Sequence, residues 1–172
     1  LLSIADYLET GTAREIVARD IKPHNVIISP DNNVCLTDLE LCTRGGTHTT
    51  AGRGTYAYMP PEQLYGSTPT AAWDRYAIAK TMEHLLNGKE PEHGKPVEIN
   101  NGINAPLYLK RLLARMTATN PSQRYGSAQE ISAELQKMKS NGKTQEGVSD
   151  WSLAVTKPAA LAHPGTSLAI AA

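Results

Sequence analysis

The chain has 172 residues, enough for one domain with its own core and too few to argue for two. Its 17 Lys and Arg residues balance its 17 Asp and Glu residues, so the formal net charge is zero. No segment concentrates positive charge, so the composition gives no electrostatic reason to expect binding to nucleic acid or to an anionic membrane surface. No apolar run approaches the ~20 residues that span a bilayer, so we expect no membrane span.

Short apolar runs in the first quarter of the chain predict short β-strands. They cover Ile16 to Asp20, Asn25 to Ser29, and the alternating stretch Val34 to Asp38. Ser, Pro, Asp and Asn at positions 29–33 predict a turn between the second and third strands. From Thr43 to Thr55 the composition changes to Gly, Thr and Arg without periodicity, which predicts a long loop with a functional role.

Helical periodicity appears further along the chain. Trp73 to Asn87 is apolar around much of its circumference and is followed by Gly88, which predicts a central buried helix with a glycine stop. Leu109 to Met116 carries apolar residues at i, i+3, i+4 and i+7, and Ser127 with Glu130 forms a capping box ahead of a third helix. We expect the last two helices to pack on the central one.

The domain is predicted to cover residues 1–139, with residues 140–172 forming a tail or linker that is expected to be disordered because it has no period that would bury a face. Cys35 and Cys42 lack metal-type spacing and are expected to be reduced, buried or half-buried thiols. With no signal segment, the cytoplasm is the default location.

Three motifs carry chemistry. Asp20 is followed five positions later by Asn25, with Lys22 and Pro23 between them; Asp38 lies 13 positions after Asn25 (38 − 25). The third motif is the string from Gly54 to Gln63, which contains Pro-Pro-Glu. Each motif alone could belong to a turn or a helix entry, but their joint order resembles the catalytic loop, metal motif and activation segment of the eukaryotic-type serine/threonine protein kinases.

The resemblance covers about Ile16 to Met138 and implies an α+β fold, mainly α-helical, corresponding to the C-terminal lobe of a protein kinase. It implies that Asp20 is the base or orienting carboxylate for a Ser or Thr hydroxyl of a protein substrate, and that Lys22 neutralises the transferring phosphate of ATP. Asn25 and Asp38 are implied as Mg²⁺ ligands.

Further roles follow from the same resemblance. Thr55 is implied to hydrogen-bond near Asp20 and Lys22, Asp74 to brace the catalytic loop from the central helix, and Arg124 to pair with Glu62. Thr50, with Thr47 and Thr49, lies where many kinases are phosphorylated, and Arg19 is implied as the partner of such a phosphate. An equally weighted alternative is that Thr is simply enriched in a solvated loop.

The chain also departs from the family pattern. Ala18 stands where the family has His, and Glu40 stands where the metal motif has Gly. No Gly-rich loop, strand Lys or helix Glu precedes the catalytic loop, and there is no initiator Met, so we interpret the chain as a partial catalytic domain that is inactive by itself.

Two alternatives to the kinase were considered. A pseudokinase or docking module, which would bind a protein partner without catalysis, remains open because of Ala18, Glu40 and the missing lobe. A nucleotide-binding domain of another fold is set aside, since positions 44–47 have neither the spacing nor the context of a phosphate-binding loop.

Overall fold

The computed structural model describes residues 16–31, 33–47 and 52–142, with the side chains of residues 139–142 excepted. The described part is a mixed α+β structure in which helices predominate. Its strands are Ile16–Val17 (β1), Val26–Ile28 (β2), Val34–Leu36 (β3) and Thr43–Arg44 (β4). Its α-helices are Pro61–Leu64 (α1), Ala71–Asn87 (α2), Leu107–Met116 (α3) and Ala128–Gly142 (α4).

The strands form two small antiparallel sheets. β2 pairs with β3 in a hairpin in which Ile27 lies opposite Cys35, and this confirms the predicted strands and turn. β1 pairs with β4, with Ile16 opposite Arg44. The prediction of a continuous loop from Thr43 was therefore wrong at its start, because a two-residue strand carries no periodicity and forms only through its long-range partner.

Helix α2 forms the centre of the described structure. Its side chains are buried along most of its length, among them Trp73, Tyr76 and Ile78, as the apolar pattern predicted. The helix ends where Gly88 adopts φ +68° and donates its N–H to the carbonyl of His84 at 2.8 Å. Only glycine enters this left-handed conformation without steric cost, which explains the stop.

Helices α3 and α4 complete the core. Leu112 and Leu113 of α3 are buried in the cluster that also contains Ile131 of α4. The Glu130 N–H donates to Ser127 Oγ at 3.1 Å, which confirms the predicted helix start. α3 packs on α2 as predicted, whereas α4 packs mainly on α3.

The two cysteines differ in exposure. Cys42 is half-buried as predicted, but Cys35 is exposed, because it lies on the side of the β2–β3 hairpin that also exposes Ile27.

α4 continues three residues past Lys139, and residues 143–172 of the predicted tail lie outside the described residues. Of the helices described, none has the length and apolar character that crossing a bilayer requires.

Candidate active site

Asp20, Lys22 and Thr55 form a closed hydrogen-bonded triangle. Lys22 Nζ donates to Asp20 Oδ2 at 2.8 Å and to Thr55 Oγ1 at 2.8 Å. Thr55 in turn donates both its backbone N–H, at 2.8 Å, and its hydroxyl, at 2.7 Å, to Asp20 Oδ1. The loop after β1 and the segment before α1, 35 residues apart, are thus joined at one carboxylate.

These contacts determine the ionisation of Asp20. Burial by itself would raise the pKa of the carboxyl group, but hydrogen bonds from Lys22 and Thr55 and the charge of Lys22 outweigh burial and lower the pKa below its usual value. Asp20 is therefore ionised at neutral pH. Its side chain is 9% exposed, so one edge stays accessible.

Asn25 is held by the same carboxylate. Its Nδ2 donates to the Asp20 carbonyl at 3.0 Å and to Asp20 Oδ2 at 3.3 Å. With the amide nitrogen fixed in this way, its Oδ1 receives no hydrogen bond from the residues described. That oxygen is available to a ligand, and Asn25 lines the cavity at the site.

Asp38 follows β3 and is exposed. Its backbone has φ +56°, and its carboxylate makes no hydrogen bond or ion pair with the described residues. The preceding residue, Thr37, donates its N–H to the Asn25 carbonyl at 2.8 Å, which ties the end of β3 to Asn25.

The donors at this end of the site suit a hard cation. One amide oxygen, from Asn25, and one carboxylate, from Asp38, match Mg²⁺, which takes few protein ligands beside phosphate and water. Among the residues described there is no cluster of three or more His, Cys, Asp and Glu side chains that could hold a metal ion.

Asp74 of α2 stabilises the loop that carries Asp20 by accepting two of its backbone hydrogen bonds. Its carboxylate accepts the N–H of Ala18 at 2.7 Å and the N–H of Arg19 at 2.9 Å, and it is only 2% exposed. Arg19 has φ +70°, a left-handed conformation that is unfavourable for a residue with a Cβ. The buried carboxylate therefore stabilises a strained backbone immediately before Asp20.

Glu62 and Arg124 form a two-pronged ion pair. Arg124 Nη1 donates to Glu62 Oε1 at 2.6 Å and Nη2 donates to Oε2 at 3.0 Å. The guanidinium also donates from Nε to the Ala118 carbonyl at 2.8 Å and lies over the Tyr76 ring. The pair joins α1 to the turn before α4 and is structural in character.

A cavity of about 490 Å³ opens beside the triangle. Three of the residues that line it, Tyr58, His84 and Glu90, were missed by the sequence analysis. Tyr58 Oη and His84 Nδ1 are hydrogen-bonded at 2.5 Å. Tyr58 lies inside the third motif and could have been singled out there, but no local signal places the end of α2 beside the catalytic loop.

Comparison with known proteins decides the family. The protein kinase domain family matches residues 3–141, most of the chain. The chain belongs to the protein kinase domain family. It is 30% identical to serine/threonine-protein kinase PrkC of Bacillus subtilis over 70% of this chain and 22% of that protein. It is 31% identical to serine/threonine-protein kinase PknF of Mycobacterium tuberculosis over 73% of this chain and 31% of the relative.

This kinase chain therefore spans less than a third of either bacterial relative. Among solved structures, it is similar to the Cydia pomonella granulovirus kinase PK-1, with a TM-score of 0.61 and 18% identity, over 76% of this chain and 56% of that one. At this identity the likeness supports the fold alone.

The structure describes the surroundings of Ala18 and Glu40, the two positions at which this kinase domain departs from the family pattern. Ala18 is 3% exposed, and Cys42 Sγ approaches its carbonyl oxygen at 4.0 Å. Among the described residues other than Gly, only Arg19 and Asp38 have positive φ, so the backbone at Glu40 does not need the freedom of glycine.

Of the predicted contact between Arg19 and a phosphate on the loop threonines, the structure describes Arg19 but not Thr50. Arg19 is 7% exposed, and burial together with the neighbouring charge of Arg53 lowers the pKa of its guanidinium. Thr47 is exposed, whereas Thr49 and Thr50 lie outside the described residues.

Proposed function

We propose that the protein to which this chain belongs is a serine/threonine protein kinase that transfers the γ-phosphoryl group of Mg·ATP to Ser or Thr hydroxyls of protein substrates. The observation that carries the proposal is the triangle of Asp20, Lys22 and Thr55, with Asn25 held on the same carboxylate. The family and its bacterial serine/threonine kinase relatives support it.

Asp20 would orient the acceptor hydroxyl and accept its proton. Because its pKa is lowered, the carboxylate is fully ionised at neutral pH and is a weak base. Such a group orients a hydroxyl throughout the reaction and takes the proton late, as the new bond to phosphorus forms. This suits phosphoryl transfer, in which positioning and charge stabilisation dominate over proton abstraction.

Lys22 would lie beside the transferring group. Its ammonium already contacts Asp20 and Thr55, and its side chain is 21% exposed toward the cavity. An ammonium has three donors, so one remains for a phosphate oxygen. Lys22 would thus compensate charge on the phosphate while keeping the orientation of Asp20.

Asn25 and Asp38 would hold Mg²⁺ through one amide oxygen and one carboxylate. The bound ion supplies positive charge to the phosphate oxygens. The hydrogen bond from Thr37 to Asn25 keeps the two ligand-bearing segments together.

Residues 1–139 would form the C-terminal lobe of the kinase, with residues 140–172 as a tail. The central helix α2, which supports the loop through Asp74, favours this assignment.

Arg19 would bind a phosphate group on Thr50, and its neighbour Arg53 adds a second positive charge there. The other residues proposed as structural, Glu62 and Arg124, join α1 to the rest of the lobe.

A docking module without catalysis is the second candidate, and the methyl group of Ala18 at a position where a ring is usual in the family favours it. In that case Asp20 and its partners would maintain the shape of a protein-binding surface.

The test compares the full-length protein from the native gene with its Asp20→Asn variant in a Mg·ATP phosphorylation assay on a Ser/Thr protein substrate. The kinase proposal expects kcat to fall by roughly 10²–10⁴-fold in the variant. Asp31→Asn, an exposed carboxylate in the β2–β3 turn, is the matched control and should leave kcat unchanged. A full-length protein with neither phosphorylation nor Mg·ATP binding would favour the docking module.

A further inference from the structure

Gln63 is a buried polar residue to which neither the motifs nor the proposed mechanism assigns a role. It lies in α1 directly after Glu62, and it is 2% exposed. A primary amide at that depth needs hydrogen-bond partners, because an unsatisfied buried polar group is costly.

Its partners belong to two different functional segments. Gln63 Nε2 donates to the Arg53 carbonyl at 2.7 Å and to the Arg19 carbonyl at 3.3 Å. The backbone carbonyl of Gln63 accepts the N–H of Gly52 at 3.3 Å. Since both side-chain contacts are with acceptors, the amide nitrogen and not the oxygen must face them.

The two segments run very close together at this point. Gly54 has φ +127°, and a Cβ placed on it would lie 2.7 Å from the Arg19 carbonyl oxygen and 3.2 Å from Gln63 Nε2. A Cβ at this position would clash with the Arg19 backbone, so only glycine fits there. The amide of Gln63 therefore bridges two backbones that approach each other more closely than any substituted residue would allow.

The bridge lies next to the catalytic triangle on both sides. Arg19 immediately precedes Asp20, and Arg53 is two residues before Thr55, which supplies two donors to Asp20 Oδ1. A change in the distance between the Arg19 and Arg53 carbonyls would consequently change the distance between Asp20 and Thr55.

We propose that Gln63 is a positioning residue that fixes the activation segment to the catalytic loop and thereby holds Thr55 on Asp20. Only the catalytic consequence of this inference depends on the proposed function. The structural coupling exists whether or not the protein transfers phosphate, so the two can be tested separately.

The first experiment substitutes Gln63→Met, which keeps the length of the side chain and removes the donor. In this chain we expect amide exchange in residues 52–58 to accelerate on the order of tenfold. Gln123→Met, at an exposed glutamine, is the control and should leave amide exchange in residues 52–58 unchanged.

A purely structural contribution would accelerate exchange in α3 and α4 as much as in residues 52–58, and that result would overturn the proposal. So would unchanged amide exchange of residues 52–58 in Gln63→Met. If the variant does not fold, the unmodified chain still decides: the side-chain amide protons of Gln63 should exchange far more slowly than those of Gln123, and equal exchange would refute the bridge.

In the full-length protein, the same substitution should lower kcat while leaving the KM for ATP unchanged, because the bridge touches no proposed nucleotide ligand. A full-length protein without any kinase activity would contradict the proposed function but would leave the exchange results in force.

Discussion

The carboxylate of Asp74 accepts the backbone N–H of Arg19 at 2.9 Å, across 55 residues of sequence. It also accepts the N–H of Ala18, so one buried side chain satisfies two consecutive backbone donors. Arg19 has a left-handed backbone that costs roughly 1–3 kcal/mol. The central helix thus stabilises the conformation that presents Asp20.

Replacing Asp74 with Asn should therefore destabilise the chain by about 3 kcal/mol, because the amide can no longer accept both hydrogen bonds and its own NH₂ has to find space beside donors. Urea unfolding followed by circular dichroism measures the change. Asp31→Asn removes an exposed carboxylate and should change the free energy of unfolding by less than about 0.5 kcal/mol. Equal losses in the two variants would contradict this account of Asp74.

Arg124→Lys tests the ion pair with Glu62. A lysine cannot reproduce the two parallel hydrogen bonds to the carboxylate, the contact with the Ala118 carbonyl, or the position over the Tyr76 ring. We expect a loss of about 2 kcal/mol in the free energy of unfolding.

The matched control for this ion pair is Arg115→Lys, because Arg115 pairs with Glu130 and Glu134 at the surface with its side chain 44% exposed. Exposed pairs contribute little, so its loss should stay below about 1 kcal/mol. Should Arg124→Lys prove as mild as Arg115→Lys, the Glu62 pair would not be a structural element of the fold.

Thr55→Val should raise the pKa of Asp20, since the hydroxyl that stabilises the ionised carboxylate is removed. The sign for stability follows from the lowered pKa in the folded state. Asp20 stabilises the fold above its unfolded pKa of about 3.9, and this contribution is lost as the pH falls through the still lower folded value. The acid limb of the stability profile should thus become shallower in the variant.

Carboxyl NMR titration measures the change in the pKa of Asp20. Unfolding experiments between about pH 2 and 6 measure the change in the acid limb of the stability profile. Thr55→Ser retains a hydroxyl and should behave as the unsubstituted chain does. An exposed threonine, Thr119, provides the control Thr119→Val. A pKa of Asp20 that stays the same in Thr55→Val would show that the hydroxyl contributes nothing to its ionisation.

The two thiols should react at different rates. Cys35 is exposed, whereas Cys42 is half-buried, and burial, followed by the charge of Asp74, raises the pKa of the Cys42 thiol. Less thiolate and less access both slow alkylation. We expect two phases with iodoacetamide at pH 8, roughly half a unit below the ordinary thiol pKa, with the fast phase absent in Cys35→Ser. A fast phase that disappears in Cys42→Ser instead would reverse the assignment.

Local patterns predicted most of the fold. The apolar circumference of Trp73 to Asn87 with Gly88 behind it indicated the central helix, and Ser127 with Glu130 indicated the start of α4; both are confirmed. The strand β4 was not predicted, because Thr43 and Arg44 form a strand only through β1. Periodicity reports local structure and does not report which distant segment supplies a partner.

The same limit applies to the candidate site. The resemblance pointed to Asp20, Lys22, Asn25 and Thr55, which the structure brings together, while the role of each stays a prediction. His84 and Glu90 beside the cavity could not have been found, since their position depends on how α2 crosses the loop. Gln63 was quoted within a motif without a role, because its importance comes from two backbone carbonyls that a sequence does not display.

The contact between Asp74 and Ala18 has a consequence for biosynthesis. A ribosome delivers Ala18 first and Asp74 only 56 residues later, which at roughly 5–20 residues per second takes several seconds. During that interval the loop that carries Asp20 lacks the carboxylate that accepts its N–H groups, and for the first part of it β1 also lacks its partner strand β4. The loop can reach its final conformation only after α2 has been made, so a translational pause between Ala18 and Asp74 would prolong its exposure to chaperones and proteases.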